Sequence, residues 1–245
     1  MCAELSAAQN VRMVRGSELA ELAALLADST RAEICLALLD GRAWTARELA
    51  GHTGMAPSTT TEHLNRLVAG GLLVERRQGR HRYVQLAGPA TAQLLEHLSS
   101  FTTPAKPTTL RAVTASAALA RGRTCYDHFA GRLGVAITDA MTAQGLLDAG
   151  NDLSLTRAGR AWLTGDLGIA ETDLRTAERP LTRTCLDWTE RRSHLAGTAG
   201  AQICRRFQEN SWTRKVGSSR AVRLTPAGEQ ALRDLLGIDA AAVVG

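Results

Sequence analysis

The chain has 245 residues, a formal net charge of +5, 44% hydrophobic and 22% charged residues. That length holds more than one core, since domains usually run about 100–150 residues, and the composition excludes a chain that is disordered throughout. No apolar run approaches the roughly 18 residues that cross a bilayer, and Met1–Val14 lacks the apolar stretch of a signal peptide, so no membrane partner and a cytoplasmic location are expected.

Five cysteines, Cys2, Cys35, Cys125, Cys185 and Cys204, are scattered without a Cys-x-x-Cys pair, which implies reduced thiols instead of a disulfide scaffold. Residues 1–101 carry ten Lys/Arg against ten Asp/Glu, and 102–245 nineteen against fourteen, so total charge does not locate a nucleic-acid site.

Taken in order, Ser17–Leu26 has helical apolar spacing, and Asp28-Ser29-Thr30 offers caps for a second helix ending near Gly41. Thr45-x-x-Glu48 is a capping box that opens a third helix, Ala46–His52. Pro57 suits the first turn of a fourth, whose buried stripe is Leu64 and Leu67 and whose end is Gly70-Gly71. Leu72–Arg76 and His81–Leu86 alternate about a turn at Gln78-Gly79 and read as a hairpin wing. Thr91–Phe101 is again helical, and the prolines of 102–117 mark a linker.

This succession resembles the DNA-binding domain of the ArsR family of bacterial repressors over about Ser17–Phe101. The resemblance rests on Asp28-x-x-Arg31-x-x-Ile34, on Ser58–Leu67, and on Gly71–Val74 with the Arg76–Tyr83 wing. It implies a winged helix-turn-helix at 1–101 that binds a double-stranded DNA operator as a homodimer, with Leu19–Leu26 and Leu94–Phe101 at the interface. The cysteine pair by which metal sensors of the family open the third helix is missing, because Trp44–Ala50 stands there.

A helix in the major groove reads base edges with its early residues, while hydroxyl and basic side chains grip phosphates. The candidates are Ser58, Thr59, Thr60, Glu62, His63 and Arg66 on the fourth helix, with Arg76, Arg77, Arg80 and Arg82 on the wing. His63 is equally readable as a packed residue.

The remainder, 118–245, contains an internal recurrence. Arg123-Thr124-Cys125-Tyr126-Asp127 returns as Arg183-Thr184-Cys185-Leu186-Asp187, His128–Gly134 as His194–Gly200, and Leu155-Thr156-Arg157-Ala158-Gly159 as Leu224-Thr225-Pro226-Ala227-Gly228. Two degenerate winged-helix-like repeats, about 118–170 and 178–240, are expected, making the whole chain mainly α with small β-hairpin wings. Thr-x-x-Asp suggests that Thr124 and Thr184 cap helices. Cys125 and Cys185 would then lie at helix starts that favour thiolate, with His128 on Cys125's helical face.

Three chemical readings stay open beside a purely structural one. Cys125, His128, Cys185 and His194 converge on zinc or another soft-ligand metal, or the thiols sense a reactive species, or aromatics including Tyr126, Phe129, Trp162, Trp188 and Trp212 line a small-molecule pocket. Of these, Cys125, Tyr126, His128, Cys185, Trp188 and His194 are the effector candidates. The functional expectation is a transcriptional regulator, a repressor released by an effector sensed in the second half. The alternative is a winged-helix adaptor that binds protein without specific DNA, and no orienting third group supports an enzyme.

Overall fold

The computed structural model describes residues 14–244 except 80, 103–106, 151, 176–178 and 218. The first unit runs α1 (Gly16–Leu26), α2 (Ser29–Ala37), a 3₁₀ turn at Leu38–Asp40, β1 (Trp44–Thr45), α3 (Ala46–Thr53), α4 (Pro57–Ala69), β2 (Leu73–Gln78), β3 (His81–Leu86) and α5 (Pro89–Ser100). Its sheet has the order β1-β3-β2, with Arg76 opposite Tyr83 and Gln78 opposite His81. Thr45 and Glu48 make both capping-box bonds at α3, and Gly41 and Gly54 end their helical segments at positive φ. Ile34, Leu38, Leu49, Leu64, Leu67, Leu73 and Leu86 form the core of this winged helix.

The Asp28-x-x-Arg31 pair has a structural role. Asp28 caps α2 by accepting from the Arg31 backbone at 2.9 Å, while the Arg31 side chain donates from Nε to Leu25 O at 2.6 Å and from Nη2 to Ala24 O at 2.8 Å. The guanidinium thereby satisfies carbonyls at the end of α1 that have no helical partner.

The second part runs α6 (Leu110–Arg121), β4 (Arg123–Cys125), β5 (His128–Ala130), α7 (Gly131–Ala143), β6 (Leu147–Asp148), β7 (Ser154–Leu155) and α8 (Arg157–Thr164). After a 3₁₀ turn at Glu171–Leu174 come β8 (Arg183–Leu186), β9 (Ser193–Ala196), α9 (Gly197–Glu209), β10 (Thr213–Lys215), β11 (Val222–Leu224), α10 (Pro226–Leu236) and α11 (Ala241–Val244). The order hairpin, thirteen-residue helix, hairpin, helix thus occurs twice. Thr156 and Thr225 play one part in both, each capping its helix by accepting from Gly159 or Gly228 while donating to the turn that leads into the preceding hairpin, at Gly145 O or Ser211 O.

Three expectations are corrected. Helix α6 begins at Leu110, inside the segment 102–117 expected as a linker, with Thr109 as its N-cap. Thr124 and Thr184 lie in strands and cap nothing: Cys125 pairs across a hairpin with His128, and Cys185 with His194. Phe129 and Trp162 are buried in the second core, where Phe207 meets Phe129 and Trp212 edge-on at 5.5 and 5.0 Å, so these aromatics build a core instead of lining a pocket.

Replacing Arg31 by Ala removes two charge-assisted bonds to α1, and a loss of about 2 kcal/mol is expected from urea unfolding of the full chain. An unchanged midpoint would show that α1 does not depend on this guanidinium.

Candidate functional site

Helix α4 presents the first candidate surface. Pro57 occupies its first turn, and Leu64 and Leu67 turn into the core. Ser58, Glu62 and Arg66 are exposed, Thr59 is half-buried, and Arg66 pairs with Glu62 at 2.7 Å. Thr60, expected on the outer face, is fully buried, because it extends the Leu64 and Leu67 stripe by one turn, and its hydroxyl donates to Ala56 O at 3.1 Å. His63 is half-buried with Nδ1 3.7 Å from Asp28, which makes it a packing residue at the start of α2. Asn65, exposed between Glu62 and Arg66, was missed by the sequence reading; its place opposite the apolar stripe is the signal.

On the wing, Arg76 and Arg77 are exposed and Arg82 is half-buried, with Arg77 and Arg82 both bonded to Glu75 at 2.8 and 2.7 Å. Arg80 lies outside the described residues. Two cations thus share one carboxylate, and the wing keeps a positive edge.

The second candidate is the junction of the β4–β5 and β8–β9 hairpins. A two-residue turn, Tyr126-Asp127, with Tyr126 at φ 62°, sets Cys125 opposite His128. The longer loop between Leu186 and Ser193 sets Cys185 opposite His194 in the same way, since added loop residues leave the ladder register alone. Helix α7 packs on β9 and helix α9 on β5. Glycine lets each helix lie close to its own hairpin, where a Cβ on Gly134 would be 2.4 Å from Phe129 O and one on Gly200 2.5 Å from Leu195 O, and the same two positions face His194 and His128 of the opposite hairpin at 3.7 and 3.3 Å. The four cysteine and histidine side chains meet as a result. Cys125 Sγ is 3.8 Å from Cys185 Sγ, and His128 Nε2 is 3.2 Å from His194 Nε2.

Carboxylates stand behind the rings. Asp127 Oδ1 is 3.2 Å from His128 Nδ1 and is held by Arg179, while Asp187 Oδ2 is 3.8 Å from His194 Nδ1. Asp187 also takes Arg123 Nη2 at 3.0 Å, Gly131 N at 2.6 Å and Thr189 Oγ1 at 2.6 Å, and Arg123 lies 4.7 Å over the Trp188 ring. Arg123 and Asp187 have no solvent exposure. Arg123, Asp127 and Asp187 stand in the recurring block, where the aspartates read as helix-cap partners and not as ion-pair partners of the junction, and Arg179 falls outside that block and is not singled out by it.

Electrostatics at the junction reverse one expectation. The bond to Cys185 and burial push the Cys125 thiol well above its usual range, because it sits in a closed strand pair and not at a helix start. Burial and the neighbouring His128 depress His194, whereas His128, despite burial, rises to about 9 beside Cys125 and Asp127. Burial works against the Asp187 carboxylate, but the Arg123 charge and the bonds from Thr189, Glu190 and Gly131 outweigh it and hold its pKa well below the carboxylate range.

Cys125, His128 and Cys185 face a cavity of ≈ 280 Å³ whose other walls are Pro89, Ala92 and Gln93 of α5 and Arg179. Of the aromatics expected around a pocket, Tyr126 lines this cavity, and Trp188 lines a separate one of ≈ 360 Å³ with Trp44. Two further contacts bind junction to winged helix: Tyr126 N donates to Leu39 O at 3.0 Å, and Arg220 pairs with the fully buried Glu96 of α5.

Residues 26–76 match the model of a helix-turn-helix domain. Over 90% of its length the chain is 35% identical to a Bacillus subtilis protein named as an uncharacterized HTH-type transcriptional regulator, YdfF, and the match covers 97% of that protein. The HTH-type transcriptional regulator CmtR of Mycobacterium tuberculosis is 40% identical over 85 residues, 35% of this chain and 71% of that one. Among solved structures, the cadmium metal-sensor CmtR of the same organism is 34% identical, covering 37% of this chain and 93% of its own at a TM-score of 0.31. A homodimeric winged helix-turn-helix domain from Mycobacterium bovis, described as a possible ArsR-family regulator, is 29% identical, with 40% and 86% covered at a TM-score of 0.32.

Replacing Asp187 by Asn leaves Arg123 buried without its counter-charge, and a loss of about 3–5 kcal/mol is expected at neutral pH. A depressed folded-state pKa contributes stability above the unfolded value near 4, and that stability fades as pH falls below it. The native chain should therefore weaken from about pH 4 downward, and the variant should show a shallower slope. Equal slopes in acid-unfolding series would rule out this role.

Proposed function

The chain belongs to the HTH-type transcriptional regulators, with a winged helix-turn-helix of ArsR type at its start, and we propose that it is a homodimeric repressor released from its operator by an effector held at the hairpin junction. Belonging to that family makes it a DNA-binding regulator and not an enzyme. The operator surface is the outer face of α4, where Ser58 and Arg66 are exposed and Thr59 half-buried, flanked by the wing arginines Arg76, Arg77 and Arg82. That pairing of an exposed hydroxyl-rich helix start with a basic hairpin is the observation that carries the reading, since α4 fits the major groove and the wing reaches phosphates alongside. Glu62 draws Arg66 across the helix surface and fixes its direction.

Dimerisation uses α1 and the end of α5. Helix α1 has no buried residue, Leu19 is 61% exposed, and Leu98 and Phe101 are 45% and 87% exposed. Side chains of this size left to water on two helices call for a partner, and a second copy supplies the two-fold symmetry that paired half-sites need. The effector belongs in the cavity between α5 and the hairpins, because α5 is shared between that cavity and the dimer surface. A DNA partner also places the protein in the cytoplasm.

Arg76→Ala is expected to weaken operator binding across sequences and to reduce the slope of log affinity against log salt by about 0.9, the share of one phosphate contact. Ser58→Ala should alter discrimination between operator variants. Thr60→Val should leave affinity unchanged, because its hydroxyl is spent inside the helix. Binding indifferent to salt in the native chain would exclude the repressor reading.

Phe101→Glu is expected to shift sedimentation from dimer to monomer. A native chain that sediments as a monomer at micromolar concentration would exclude this interface.

A further inference from the structure

We propose that Cys125, His128, Cys185 and His194 form a tetrahedral site for one soft divalent cation of the zinc type, set in the wall of the cavity against α5. The four donor atoms all lie within 4.8 Å of one another, and all four residues are buried. A tetrahedron places its corners at about 1.63 bond lengths from each other. With Zn–S near 2.3 Å and Zn–N near 2.0–2.1 Å, sulfur pairs fall at about 3.8 Å and nitrogen pairs at about 3.3 Å. The sulfurs are 3.8 Å apart and the facing nitrogens 3.2 Å apart.

The donors are also aimed. Asp127 stands at the outer nitrogen of His128 and turns its Nε2 inward, the arrangement by which a carboxylate orients a metal-binding imidazole, while Asp187 lies 3.8 Å from the outer nitrogen of His194, beyond hydrogen-bond reach. His194 Nδ1 is buried and, among the described residues, reaches no hydrogen-bond partner, so the ring is held by position and by its Nε2 contact with His128. Charge balance points the same way. Arg123 is matched by Asp187 and Arg179 by Asp127, so these two cations are neutralised, and Arg183 also lines the cavity. A divalent cation with two thiolates and two neutral imidazoles is itself neutral, and its binding releases to solvent the protons that the four donors hold.

Two sulfurs and two imidazoles select zinc, cadmium or cobalt over magnesium or calcium, which take oxygen ligands. Access is through the cavity, which exposes Cys125, His128 and Cys185 on the side facing Pro89, Ala92 and Gln93. An ion there bridges the two hairpins directly beside α5. Its use as the releasing signal rests on the regulatory reading above, whereas its binding does not, and the experiment reads binding on the protein alone.

The full chain, reduced and stripped with a chelator, is titrated with Co(II) and then with Zn(II). One Co(II) per chain is expected, with the strong visible bands of a tetrahedral centre and a sulfur-to-cobalt charge-transfer band, both abolished by one equivalent of Zn(II). Cys125→Ser and Cys185→Ser should each remove the charge-transfer intensity in part and weaken binding at least about tenfold. Cys204→Ser, a buried thiol outside the group, should bind as the native chain does. Asp127→Asn, which leaves all four donors in place, should weaken binding about 10–100-fold and serves if the cysteine variants do not fold. Failure to take up one equivalent, a weak octahedral spectrum without charge transfer, or undiminished binding in the Cys125→Ser, Cys185→Ser double variant would each overturn the site. Any of these with salt-dependent operator binding intact would leave the regulator reading standing.

Discussion

Arg123 and Asp187 form an ion pair with no solvent exposure on either partner, and the second half of the molecule is arranged around it. Burying two charges is costly unless the geometry is good and the remaining donors and acceptors are satisfied. Here the carboxylate is answered by backbone amides of Gly131, Thr189 and Glu190 as well as by the guanidinium. Those partners lie on the first hairpin's strand, on the helix after it and in the second hairpin's loop. One carboxylate therefore fixes how the two hairpins face each other, and that fixes the meeting of two cysteines and two histidines.

The same junction reaches the winged helix. The tight turn of the first hairpin docks on the 3₁₀ segment after α2, and Arg220, in the loop between β10 and β11, clamps Glu96 inside α5. An unpaired Glu96 would be a buried charge, so α5 cannot shift far without also moving the β10–β11 loop, whose Arg220 O accepts from Thr124 N of β4 at 3.0 Å. Contacts of this kind give a ligand at the junction a short path to the helix that carries the exposed Leu98 and Phe101.

How much of this was legible differs between the halves for physical reasons. The winged helix declares itself locally: the capping box at Thr45, proline at the start of α4, glycines at Gly41 and Gly54 and the alternation in β3 are all short-range signals that the fold obeys. Thr60 misled because a threonine can finish an apolar stripe when its hydroxyl bonds the preceding turn. The hairpins at Cys125 and Cys185 were hidden because three- and four-residue strands show too little alternation. Tyr126-Asp127 is also not a sequence that advertises a tight turn. Thr-x-x-Asp there imitates a helix cap. The recurrence still singled out the cysteines and histidines, whereas the ion pairs that orient them join residues about 50 to 65 positions apart and leave no local trace.

The central claim is that the hairpin junction and α5 form one mechanical unit. Amide hydrogen exchange of the full chain, followed with and without one equivalent of Zn(II), tests it most directly. The account requires slower exchange in β4, β5, β8 and β9 and a simultaneous change in α5 around Glu96. Protection confined to the hairpins, with α5 exchanging at the same rate in both states, would contradict it.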